Sequence, residues 1–146
     1  MIGIGVFHGK FENNVGTLWR AAHLYDVDFL FTINHRYIPQ ATDTSKAWRE
    51  IPLINYPDLA TFSIARPLDA PLIGVEMTHK ATPLHRYIHP RSAIYILGAE
   101  DHGLTPEVLD LCKDVIQIEA AWSTRSMNVA MAGSIVLYDR WIKKEK

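Results

Sequence analysis

The sequence has a single cysteine, Cys112, among 146 residues. No intramolecular disulfide can form and no cysteine-based zinc site can be built. A reducing, cytoplasmic setting is therefore expected. Charge of either sign is in short supply too: 15 Lys and Arg stand against 16 Asp and Glu, a formal net charge of -1. Nucleic-acid-binding domains usually carry a basic excess, so the sum by itself argues against such a partner. Long apolar runs are missing. The longest weakly polar stretch, Met127 to Tyr138, is too short to span a bilayer and contains Asn128 and Ser134, so no membrane is expected. The start, MIGIGVFHGKF, lacks the charged segment and small-residue cleavage site of a signal peptide. Internal repeats and low-complexity tracts are absent. What is present is apolar: 48% hydrophobic residues in a chain of this length predict one compact domain over 1–146.

Ile2 to Phe7 reads as a buried first strand. Asn13-Asn14 supplies a helix N-cap, followed by Leu18, Ala21, Ala22 and Tyr25 at helical spacing. Strands are expected at Asp28 to Ile33, Ile51 to Tyr56, Pro71 to Met77, Ser92 to Leu97 and Val115 to Ile118. Between them lie a short helix around Ser45 to Arg49, a helix opened by Pro57-Asp58 and stopped by Arg66-Pro67, a turn of helix or a loop at Pro83 to Ile88, and a helix at Glu107 to Cys112 behind the Thr105-Pro106 cap. A last helix runs from about Ser126 to Ile142. Continuous apolar strands alternating with helices describe an α/β protein whose largely parallel sheet has helices on both faces. Ligands of such sheets bind beyond the C-terminal strand ends. The loops 8–16, 77–83, 98–104 and 119–128 all follow strands and can share one site.

Several local patterns carry little. Gly3-Ile4-Gly5 imitates part of a dinucleotide fingerprint but lies within the first strand instead of after it. No Walker-type phosphate loop occurs. His85 and His89 are four apart, but Pro83 and Pro90 limit a helix there and no glutamate completes a zinc-protease pattern, so no metal is expected and the seven histidines read as surface groups. Three segments carry more. Asn14 to Arg20 combines a capping residue, Gly16 for close backbone approach, and an arginine one to two turns in; a capped helix with a surface arginine is its plain alternative. Leu97 to Leu104 brackets Glu100 and Asp101 between Gly98 and Gly103 directly after a strand; a tight turn with solvated acids is the alternative there. Ser123 to Val129 gathers hydroxyl groups, Arg125 and Asn128 before a long apolar helix, more polar groups than capping needs.

Taken in order, these segments resemble the three motifs of the SPOUT-class, SpoU-type RNA ribose 2′-O-methyltransferases. Asn14, Gly16 and Arg20 match N-x-G-x-x-x-R. Leu97, Gly98, Glu100, Gly103 and Leu104 match L-G-x-E-x-x-G-L. Ser126, Met127, Asn128 and Val129 match S-[LM]-N-[VL]. The resemblance implies a C-terminal deep trefoil knot whose loops hold S-adenosylmethionine through Met77, Thr78, Leu97, Gly98, Glu100, Gly103, Ile118, Ser126, Met127 and Asn128. It implies substrate contacts at Asn14, Arg20 and Arg125, and catalytic roles for Arg20, Glu100, Ser126 and Asn128. It also implies a homodimer, a role that suits two apolar stripes on the last helix: Val129, Ala132 and Val136 on one, and Met131, Ile135, Tyr138 and Ile142 on the other. A fully buried core helix is the alternative. The chain resembles the minimal members without an appended RNA-binding domain. Arg125 to Asn128 reproduces the R-S-M-N of the tRNA wobble-nucleotide enzymes, so tRNA is the favoured RNA, with rRNA or a non-catalytic RNA-binding module as alternatives. Lys10-Phe11-Glu12 and Ile118-Glu119-Ala120 depart from the proline and the I-P-M of those enzymes.

The even charge balance also conceals an uneven distribution. From Met77 to Ala99 there is no acid, while Lys80, Arg86 and Arg91 lie there with His79, His85 and His89. The last helix ends on Arg140, Lys143, Lys144 and Lys146 against Asp139 and Glu145. Local basic patches attract phosphate whatever the sum.

Overall fold

The computed structural model describes residues 1–8, 12–36, 38, 49–99, 102–121 and 126–144. Its elements are β1 (Ile2–Phe7), α1 (Glu12–Leu24), β2 (Phe29–Ile33), β3 (Leu53–Tyr56), α2 (Leu59–Ala65), β4 (Leu72–Val75), β5 (Thr82–Pro83), a 3₁₀ turn at Leu84–Arg86, β6 (Ala93–Gly98), α3 (Pro106–Leu111), β7 (Asp114–Gln117) and α4 (Val129–Lys144). The strands form one sheet in the order β3-β2-β1-β6-β4-β7-β5. Every pairing among these strands is parallel. β6 lies between β1 and β4, with Phe7 opposite Gly98 and Val75 opposite Leu97.

Side chains alternate across the sheet and build a core on each face. Ile4, Ile73, Tyr95 and Leu97 point toward Val15, Leu18 and Ala22 of α1 and Ala132, Val136 and Leu137 of α4. Phe31, Leu72, Ile94 and Ile96 point toward Phe62 of α2 and Val108 of α3. Gly3 and Gly5 are strand glycines for a steric reason: a Cβ at either would run into the ring of Phe29 or Phe31. The caps of α2 and α3 follow the sequence. Asp58 accepts from the Thr61 N–H at 2.7 Å, and Thr105 is the N-cap behind Pro106. Cys112 donates to the Val108 carbonyl at 3.2 Å, and burial pushes its thiol up to about 12, so it is no nucleophile near neutrality.

Four expectations are corrected. α1 starts at Glu12, which makes Asn14 a residue of the first turn and not the N-cap. α4 starts at Val129, so Ser126, Met127 and Asn128 form its lead-in. Thr82–Pro83 pairs with β7 as an added edge strand, a position that tolerates proline's missing donor. His89 is an interior group: its Nδ1 lies 2.6 Å from the Tyr95 hydroxyl and its Nε2 2.9 Å from Asp139, and only 4% of its side chain is exposed. Apart from Arg49, the helix expected at Ser45 to Arg49 lies outside the described residues.

Burial is the main cause that lowers the His89 pKa below its usual value, outweighing the opposing pull of Asp139. The unfolded chain then binds a proton near pH 6.5 that the folded protein resists, so the neutral ring favours folding above that pH and the advantage is lost as pH falls below it. Thermal midpoints should therefore fall between pH 7 and 5, and His89→Gln should show a shallower fall. An unchanged slope in that variant would remove His89 from the account.

Candidate functional site

Parallel strands leave the sheet on one edge, and there β4, β6 and β7 open on a common cleft. Val75, Glu76 and Met77 line it from β4, Leu97, Gly98 and Ala99 from β6, and Ile118 and Ala120 from the exit of β7. Gly103 lines it as well, and Ser126, Met127, Val129 and Ala132 close it from the lead-in and first turn of α4. Seven sequence-predicted residues are thus brought together: Met77, Leu97, Gly98, Gly103, Ile118, Ser126 and Met127. Thr78 lies beside the cleft without lining it, its carbonyl accepting from the Ala81 N–H at 3.1 Å. Arg20 is exposed on α1, also outside the lining. Glu100 and Arg125 fall outside the described residues.

Glu76 organises the cleft and was missed in the sequence. Its Oε2 accepts the Leu104 N–H at 2.8 Å, and its Oε1 accepts the Met77 N–H at 2.9 Å. One carboxylate thereby joins the exit of β4 to the loop after β6. That loop folds back on itself, the Gly103 N–H donating to the Ala99 carbonyl at 2.9 Å. Both bracketing glycines are required by this fold. Gly103 has φ +61, and a Cβ there would meet the Glu76 carboxylate; a Cβ on Gly98 would strike the backbone of Gly103 and Leu104. The available signal was an acid directly after an apolar strand, the same pattern that marks Glu100.

Asn128 organises the opposite wall. Its Oδ1 accepts the N–H groups of Ala130 at 3.0 Å and Met131 at 3.1 Å, which makes it the N-cap of α4. Its Nδ2 donates to Asn14 Oδ1 at 2.9 Å. The first and third motifs, 114 residues apart, therefore meet as a side-chain pair. Two more residues on this sheet edge had no sequence signal. His8 and Asn34 follow β1 and β2 with left-handed backbones, φ 55 and 60. The Asn34 amide lies 2.9 Å from His8 Nε2; an amide donor there places the neutral ring's proton on Nδ1. Non-glycine residues held in this region concentrate at functional sites.

The walls suit an apolar group edged by hydrogen-bonding atoms. Val75, Leu97, Ile118, Met127 and Val129 offer an apolar slot, strand-exit backbone surrounds it, and the positive end of α4 lies alongside. Among the described residues no cluster of His, Cys, Asp or Glu could hold a metal ion, and no described helix is long and apolar enough to cross a membrane.

Residues 4–138 match the model of the SpoU rRNA Methylase family. The tRNA (cytidine(34)-2'-O)-methyltransferase of Escherichia coli is 34% identical over 68 residues, covering 44% of this chain and 43% of that protein. The 23S rRNA (guanosine-2'-O-)-methyltransferase of Acinetobacter baylyi is 29% identical over 68 residues, 47% of this chain and 27% of that protein. The match spans less than half the length of either relative. Among solved structures, the SpoU methyltransferase AviRb of Streptomyces viridochromogenes, in complex with the cofactor AdoMet, superposes with a TM-score of 0.83 at 19% identity, over 98% of this chain and 60% of that one.

Asn128→Ala should cost about 1–2 kcal/mol in urea unfolding, the loss of a helix cap. Asn14→Ala should cost less, because a single side-chain hydrogen bond contributes only about 1 kcal/mol net. Equal losses would contradict the capping role. Gly103→Ala should cost about 1–3 kcal/mol, the strain of a left-handed non-glycine residue pressed against a carboxylate. A variant as stable as the parent would refute the packing described.

Proposed function

The chain belongs to the SpoU rRNA Methylase family, and on that premise we propose that it methylates a ribose 2′-hydroxyl of RNA, with tRNA as the favoured substrate, using S-adenosylmethionine. The observation that carries this reading is that residues of the second and third motifs line one apolar cleft at the C-terminal strand ends, and the first motif touches the third through Asn14 and Asn128. S-adenosylmethionine, when bound, supplies a methyl group already activated by its sulfonium. Met77, Leu97, Gly98, Gly103, Ile118, Ser126 and Met127 would hold it, with Thr78 beside them, and the family resemblance adds Glu100.

With the donor so activated, the protein's task is to align the 2′-oxygen and help remove its proton. Arg20 orients the ribose and stabilises its developing negative charge, and a substrate phosphate serves as the proton acceptor. Glu100 fixes the arginine geometry, and Arg125 and Asn14 contact substrate. Asn128 acts through position, holding the α4 lead-in against α1 so that Ser126 and Met127 face the cleft. The C-terminal segments thread as the deep trefoil knot that the family resemblance implies. The enzyme works in the cytoplasm as a homodimer. Supporting the dimer, Met131, Tyr138 and Trp141 of α4 are 56%, 50% and 44% exposed, and Leu24 at the end of α1 is 76% exposed. The stripe of Val129, Ala132 and Val136 faces the core, so α4 is not the fully buried helix of the alternative reading.

Transfer of labelled methyl groups to total RNA, followed by mapping of the modified nucleotide, tests the activity. A methylated ribose is expected, and methyl groups on a base overturn the reaction. Arg20→Ala should lower turnover by roughly 10²-fold or more while calorimetry shows unchanged S-adenosylmethionine affinity; full activity would remove Arg20 from the mechanism. No heat with S-adenosylmethionine would favour the non-catalytic RNA-binding module. Light scattering should give a dimer, weakened in Met131→Glu/Tyr138→Glu.

A further inference from the structure

A second hollow lies at the far end of α4. It is formed by the segment before β6 and the last turn of the helix, two regions 50 residues apart in sequence that the fold staples together. Two cations make the staple. The Arg140 guanidinium donates to the carbonyls of Pro90 at 2.6 Å and Arg91 at 2.8 Å. The Lys143 ammonium donates to the carbonyls of Leu84 at 2.7 Å and Tyr87 at 3.1 Å. These charges are committed inside the fold, but they fix the frame from which Arg86, Arg91 and Lys144 project, all exposed. Among the described residues no acid lines the hollow. Three carboxylates behind the wall are each paired with a lining residue, Asp139 with Lys143 at 2.7 Å and His89 at 2.9 Å, Glu119 with His85, and Asp114 with the Tyr87 hydroxyl at 2.8 Å, which leaves Arg86, Arg91 and Lys144 as the charges that face outward.

We propose that this hollow is an anchoring site for phosphodiester groups of the substrate RNA, remote from the nucleotide that is methylated. The inference rests on the RNA methyltransferase reading and adds a distance to it. α4 has 16 residues, about 24 Å at 1.5 Å per residue. Its first turn lines the cofactor cleft and its last turn lines the basic hollow. An RNA touching both sites of one chain must reach several nucleotides beyond the target. The enzyme therefore selects a folded RNA over an isolated short segment around the target.

The test is RNA binding by Arg86→Glu/Arg91→Glu/Lys144→Glu across a salt series, with S-adenosylmethionine affinity and thermal midpoint measured alongside. Affinity for full-length tRNA should drop at least tenfold, and the log–log salt slope should flatten by about 2 to 3, one phosphate per lost cation. Binding of a five-nucleotide fragment carrying the target should change less than twofold. A parent-like affinity and slope for full-length RNA would overturn the proposal and assign the hollow to another acidic partner. If the reversed-charge protein fails to fold, the Gln versions at the same three positions give the same readout. The parent separates the two ideas. If it transfers methyl groups to RNA while the variant binds like it, only the anchoring site falls; if it neither binds nor methylates RNA, both fall.

Discussion

The constraint on which everything else rests is that the strands all run the same way. A parallel sheet sends every strand out across one edge, and its crossovers return on the faces. Motifs distributed from Asn14 to Val129 therefore have one place to meet. Burial on both faces demands continuous apolar strands, which is why β1, β2 and β6 are buried along almost their whole length. Polar chemistry is thereby confined to the segments beyond the strand ends. Glu76, Gly98 and the approach to α4 occupy the first positions at which the chain is released from that demand.

Two polar devices then shape the cleft, and they differ in kind. Glu76 binds backbone to backbone, using both carboxylate oxygens to hold the exits of neighbouring strands together. Asn128 joins two helices, spending its oxygen on the α4 terminus and its amide on Asn14. The first makes the floor rigid and the second sets where the α4 lead-in stands above it. Neither requires a charge to be desolvated without partners, which is the costly alternative in such a setting.

Much of this was legible in the sequence. The apolar runs announced the strands, and Asp58, Thr105 and Pro106 marked their helix starts by short-range chemistry. What stayed illegible depended on remote partners or on competing local signals. Thr82–Pro83 is too short, and carries the wrong residue, to read as a strand. Ser126 and Asn128 are both good caps two positions apart, and only the hydrogen bonds to Ala130 and Met131 decide between them. Asn14 looked like a cap because its true partner is 114 residues away. His89 read as a surface group because Asp139, 50 residues on, and the Tyr95 ring are what enclose it. Glu76 was overshadowed by the glycine-bracketed acids of the later loop.

The strand order also governs how the molecule is assembled. β6 enters between β1 and β4, and β7 between β4 and β5, so two strands are added between neighbours made earlier. A segment ending before Ala93 can pair β1, β2 and β3, but its β1 and β4 edges are left facing each other across a gap one strand wide. During synthesis the first half of the chain must wait on the ribosome with open edges until β6 emerges. Such long-range pairing folds slowly and is exposed to edge-to-edge association while it waits. The topology that gathers the motifs thus makes the sheet dependent on strands that are made late.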